Sequence, residues 1–178
     1  MNFLKIVLGL FSLVSLFSCA EMGLRPHRPT AKSTLEISKA TGTFRILSIE
    51  GGSSEMRKIL DGDIVSCGAT TFRIPRGNSV EFFIKEVFSE ELRVADKYSQ
   101  DGTAIEVVIN KMDLTTHKAG SGEWAMDVDY TVNGKTTNIT NSIEFESKVS
   151  MITSCMNTAS VFEEAIADSL VEFFKRTR

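Results

Sequence analysis

The chain has 178 residues, is 42% hydrophobic and 24% charged, and carries 20 basic and 23 acidic side chains with three cysteines. A net charge of −3 excludes a basic field for nucleic acid, and the length suits one domain with a real core but not two of ordinary size. No G-x-S-x-G, H-E-x-x-H, Walker glycine loop, C-x-x-C or Rossmann fingerprint occurs, so the sequence offers no motif for hydrolase, zinc-protease, nucleotide or dithiol chemistry.

At the N-terminus Lys5 precedes an apolar run from Ile6 to Phe17. That length suits a secretory h-region and falls short of the roughly 20 residues needed to span a bilayer. The run closes on Leu16, Phe17, Ser18 and Cys19, which resembles the bacterial lipobox. The motif implies a signal peptide over residues 1–18, cleavage before Cys19 and acylation of its thiol, with palmitate-type chains anchoring the protein. Anchoring is stable once two or more chains are buried, at about 0.8 kcal/mol per methylene. Processing removes Lys5 alone among charged side chains, taking the basic count from 20 to 19 against 23 acids, a net −4. Ala20 stands where an Asp would favour inner-membrane retention, so the outer membrane, on its periplasmic face, is the expected location.

Residues 19–42 hold two of the three prolines, scattered charge and few large apolar side chains. They read as a tether reaching at most roughly 70 Å when fully stretched. Thr43–Gly51 alternates as a first strand, and Ser53–Asp63 is polar and irregular. Ile64–Ile74 reads as a second strand broken at Gly68 and stopped by Pro75. The period then changes. Asn78 with Glu81 fits a capping box, and Val80, Phe83, Ile84, Val87, Phe88, Leu92, Ala95 and Tyr98 recur at helical spacing over about twenty residues.

Gly102–Leu114 returns to period two through Ile105, Val107 and Ile109. After a turn at Thr115–Glu123, the residues Trp124, Met126, Val128, Tyr130 and Val132 alternate with Ala125, Asp127, Asp129 and Thr131, the pattern of a half-buried antiparallel strand. Asn133-Gly134 supplies a type I′ hairpin, and the returning strand covers 136–148. Ser160 with Glu163 fits a second capping box, opening a helix with a broad apolar stripe from Val161 to Phe174. The expected architecture is α+β, a two-layer sandwich of an antiparallel sheet with two helices on one face, in a single domain over 43–178.

Few residues invite chemistry. Cys67 and Cys155 form an even pair in a chain bound for an oxidising compartment, and a disulfide between them closes a loop of about 88 residues, contributing up to roughly 4 to 5 kcal/mol. His27 lies in the tether and His117 in a turn, leaving neither cysteine a sequence-adjacent histidine for nucleophilic or metal chemistry. "EGGSSE", Glu50–Glu55, reads as a turn lacking the helix and lysine of a phosphate loop. Asp61 with Asp63 and Asp127 with Asp129 are carboxylate pairs that read as solvated faces, and Trp124 reads as core although a sugar platform is the alternative. The sequon at Asn138 has no meaning behind a lipobox. No cofactor or metal is expected.

The segment "CGATTFRIPRGNSVEFFIKEVFSEELRVADKYS", the strand pair with "GEWAMDVDYTVNGK", and "ITSC" before a terminal helix resemble a group of small, largely uncharacterised bacterial envelope lipoproteins. The matching residues are Pro75 and Gly77, Glu91 and Leu92, Trp124, and Cys67 with Cys155, over roughly residues 64–174. More distantly the layout is similar to the ABC-transport auxiliary lipoproteins and to the lipoprotein subunit of lipopolysaccharide assembly. The resemblance implies a lipid-tethered two-layer domain without catalytic residues that serves an envelope complex, in lipid or lipopolysaccharide transport. The alternative is a module binding peptidoglycan or another envelope glycan through Trp124 or the loop "HKAGSGE". Neither family supplies recognisable cargo-contact residues here.

Overall fold

The computed structural model describes residues 27–67, 70–117, 121–146 and 151–178. The fold is α+β. Strands β1 (Phe44–Gly51), β4 (Thr103–His117), β5 (Ser121–Val132) and β6 (Lys135–Glu146) form a sheet in the order β1-β4-β5-β6. The last three pair antiparallel, as their period-two patterns and short connections require. Strand β1 pairs parallel with β4, so the sheet is mixed rather than wholly antiparallel. The long crossover through the intervening helices makes this parallel pairing possible.

Hairpin β5–β6 turns on Asn133 and Gly134, both at positive φ (51° and 76°), the backbone that a type I′ turn demands. A bulge at Asn110 interrupts the β4–β5 register and another at Leu47 interrupts β1–β4. Expected Ile64–Ile74 becomes β2 (Ile64–Cys67) and β3 (Thr70–Arg73), an antiparallel pair forming its own small sheet apart from the main one.

Each of the four described helices departs from the sequence expectation. Helix α1 (Ala31–Ser38) occupies the middle of the expected tether. Thr30 and Ser33 make a reciprocal capping box, and Ile37 is fully buried, which fixes a segment whose prolines and charges suggested an open chain. Helix α2 (Ser54–Asp61) replaces the expected irregular stretch; Ser53 caps Met56 N, while Met56 and Leu60, one turn apart, bury its inner face. Helix α3 (Val80–Val94) is shorter than expected, and its cap is Ser79, accepting from Phe82 N, rather than Asn78. Helix α4 (Met151–Arg176) starts nine residues before the expected box, so Ser160 and Glu163 are interior helical residues.

Helices α3 and α4 cover one face of the sheet, the face carrying Trp124, Met126, Val128 and Tyr130. Tyr130 packs against Phe88 of α3 and stacks on Phe173 of α4 at 4.8 Å, and Trp124 packs on Phe162 of α4 at 5.0 Å. Both helices therefore close the same layer, and α1 lies across them on the outside. Trp124 Nε1 donates to the Thr158 carbonyl at 2.9 Å. Ser169 Oγ donates to the Ile166 carbonyl, so the Tyr130 hydroxyl donates to Ser169 Oγ at 2.7 Å. The polar tips of both aromatics are thus satisfied inside the core.

Candidate functional site

Cys19 and the apolar run before it lie outside the described residues, as does much of the loop "HKAGSGE". Trp124 is 1% exposed and hydrogen-bonded, which removes it as a sugar platform. Asp127 and Asp129 project from the open face of β5, where Asn138 Nδ2 donates to both (2.7 and 2.8 Å) and Asn110 Nδ2 donates to Asp129 at 2.9 Å. The β4 bulge swings Asn110 into this cluster. Two amides thus spread the two negative charges on a solvated surface. Asn138 is engaged in that network rather than standing free as a sequon. Asp63 binds Arg73 across the β2–β3 region, and no contact with Asp61 joins it among the described residues.

Gly51 and Gly52 do precede a helix, contrary to the sequence reading, and the reason for glycine there is space. A Cβ on Gly52 would lie 2.3 Å from Asn110 Oδ1, and one on Gly51 would lie 2.5 Å from Arg57 N. The turn is built for close backbone approach.

Cys67 ends β2, half-buried against the core, and is a disulfide-bonded half-cystine. Cys155 lies in the part of α4 whose side chains fall outside the described residues. His117 ends β4, paired with Ser121, instead of sitting in a turn.

A titratable cluster with no sequence signature lies where the start of the described chain meets α3 and α4. His27 Nε2 lies 2.9 Å from Glu91 Oε1 of α3, and its Nδ1 lies 3.9 Å from Glu163 Oε2 of α4. Glu91 is completely buried, and its second oxygen, Oε2, has no hydrogen-bond partner. Burial alone would lower the His27 pKa, but the Glu163 and Glu91 carboxylates outweigh it and hold the imidazole at about 9. The ring is therefore an imidazolium at neutral pH, held between Glu163 and the buried Glu91. His27 thus fastens the start of the described chain to α3 and α4.

Cavities flank this clasp. One, of about 380 Å³, runs from His27 past Pro75 and Arg76 to the half-exposed Phe82, with Glu86 and Glu90 on its wall. A second, of about 290 Å³, lies between α1 and α4 and is lined by Glu91, Glu163, Glu164 and Asp168 as well as Arg28 and Lys32. A third, of about 450 Å³, shares no lining residue with these; it opens where α1, β1, the β5–β6 hairpin and the end of α4 meet. Among the described residues no three His, Cys, Asp or Glu side chains are grouped to hold a metal ion, and no helix is long and apolar enough to cross a membrane.

No family model matches the sequence, and no curated protein matches it. A solved structure shares its architecture. A Xanthomonas campestris protein of family DUF330 superposes with a TM-score of 0.53 at 8% identity, over 85% of this chain and 86% of that one. An uncharacterised protein (TM-score 0.48, 8% identity, 77% and 92% covered) and a provisionally assigned lipoprotein from Caulobacter crescentus (0.45, 12%, 82% and 92%) are also similar. At such identities the Xanthomonas likeness establishes the fold alone.

Proposed function

We propose that this chain is a lipid-anchored, non-enzymatic envelope protein, attached through Cys19 to the outer membrane on its periplasmic face. It serves there as an accessory or assembly factor of a complex that handles lipid or lipopolysaccharide. The observation that carries the reading is the His27 clasp. Seven residues lie between Cys19 and His27, and the eight steps of chain hold a domain anchored at Cys19 within about 26 Å of the bilayer instead of letting it range over the 70 Å of an open tether. Short leashing suits a protein that works against one membrane-bound partner, because it raises the effective concentration of the docking surface. The fold shared with the Xanthomonas protein is consistent with this, and the lipobox supplies the anchor.

The same reading includes a Cys67–Cys155 disulfide. Helix α4 packs against both β2 and β3, with its Phe162 meeting Phe72 of β3 at 5.5 Å, and the bond would staple the small sheet to that helix. A thiol assay on the denatured, unreduced mature protein is expected to count none; two free thiols would refute the pairing.

The test of function is affinity purification of the lipidated protein from mildly solubilised envelopes, with mass spectrometry of stoichiometric companions. A transporter, barrel or assembly component is the expected result. Recovery of the protein alone, or with glycan, would overturn the accessory reading.

A further inference from the structure

The third cavity differs from its neighbours in chemistry. Its floor is apolar and aromatic: Phe44 meets Phe174 edge-on at 5.0 Å, and Phe174 meets Phe173 at 5.1 Å. Its rim carries Lys39, Lys135 and Arg178, and no carboxylate side chain lines it. Glu36, just outside, pairs with Lys39 and with Arg178 (2.8 Å for the latter), and these two cations hold its pKa down at about 2. One carboxylate thus faces two of the three cations, and Lys135 makes no ion pair among the described residues. By contrast, the cavities beside His27 are walled by Glu86 and Glu90 or by Glu163, Glu164 and Asp168.

An aromatic floor beneath a cationic rim complements a molecule with an apolar body and an anionic head, and about 450 Å³ falls within the range of roughly 300 to 1,000 Å³ usual for small-ligand sites. The geometry points to a binding site for an anionic single-chain amphiphile. Its acyl chain lies along the partly buried Phe44 and Val132, above the buried Phe173 and Phe174, and its carboxylate or phosphate sits between Lys135 and Arg178. A fully dissociated carboxylate or phosphate gains from both cations, whereas an uncharged head of the same length gains from neither. This deepens the function proposed above and rests on it only for the source of the ligand, the envelope lipids.

The experiment uses the full lipidated chain in phosphatidylcholine vesicles, with palmitate carrying a diazirine in its chain as photoprobe and peptide mass spectrometry as readout. Labelling is expected in the peptides around Phe44, Val132 and Phe173–Phe174. Unlabelled palmitate should compete, with lysophosphatidylglycerol competing as well if the shared anionic head is what counts; competition by only one of the two names the source as carboxylate or phosphate. Lys135→Glu should cut labelling at least fivefold, and Thr41→Trp, which fills the mouth from an exposed position, should abolish it. Both substitutions lie outside the core, and unchanged melting curves confirm that the variants are folded. Labelling spread evenly over the surface, labelling centred on the Phe82 cavity, equal labelling by the corresponding diazirine alcohol, or no effect of Lys135→Glu and Thr41→Trp would each overturn the assignment. Capture of no partner complex would leave this result standing, and a failed crosslink would leave the partner result standing, so the two proposals fail separately.

Discussion

Strand β5 presents two faces built from alternating residues of one short sequence. Trp124, Met126, Val128 and Tyr130 are at most 1% exposed and are clamped by α3 and α4, with both polar tips hydrogen-bonded. Ala125, Asp127 and Asp129 lie between them on the open face, where Asn110 and Asn138 hold the carboxylates in water. The first face sets the stability of the molecule. The second tolerates charge because no described element packs on it. The cavities lie on neither face but at the margins of the helical layer, where α1 and the chain from His27 are laid over α3 and α4.

Substitutions on the two faces should differ sharply. Trp124→Ala should lower stability by about 3 to 5 kcal/mol in denaturant titration, since it opens a cavity and strands the Thr158 carbonyl side of the contact. A loss below 1 kcal/mol would mean that the helices do not clamp this face. His27→Ala, at the margin, should cost about 2 to 4 kcal/mol because it leaves the buried Glu91 carboxylate without its cation.

The His27 clasp also fixes a pH dependence. The folded-state pKa is raised, to about 9 from 6.5, so its stabilisation is full below pH 6.5 and is lost as pH rises through 9. Melting temperature should fall across that window in the wild type and stay flat in His27→Ala; parallel curves would place the titration elsewhere.

Smaller effects sharpen the same contrast. Tyr130→Phe keeps the ring stacked on Phe173 and removes one hydrogen bond, so about 1 kcal/mol is expected. Asp127→Asn on the open face should stay within about 0.5 kcal/mol. A larger loss there would show that the Asn110–Asn138 network braces the sheet.

The β5–β6 hairpin was legible from sequence because everything that defines it is local: strict alternation, then Asn133-Gly134, then alternation again. Helix α3 was legible from its 3.6-residue stripe, although its cap moved from Asn78 to the neighbouring Ser79. Helices α1 and α2 are each eight residues long, too short to show a convincing stripe, and each depends on tertiary burial of one or two side chains, Ile37 or Met56 with Leu60. Ser160-x-x-Glu163 shows the opposite error, since a capping-box pattern in a helix interior looks the same as one at its start. The parallel seating of β1 on β4 and the joining of His27 to Glu91, 64 residues away, are long-range events with no local signature. For that reason His27 read as a tether residue, and the cationic cavity, whose Arg178 meets Glu36 across 142 residues, left no motif.

The central claim is that a lipid at Cys19 anchors this domain, and the most direct measurement is the intact mass and N-terminal peptide of the protein extracted from envelopes. The account predicts a mature chain beginning at Cys19 and bearing acyl chains, with Cys19→Ala accumulating as unprocessed precursor. A mature chain cleaved elsewhere, or a Cys19 thiol free of lipid, would contradict it.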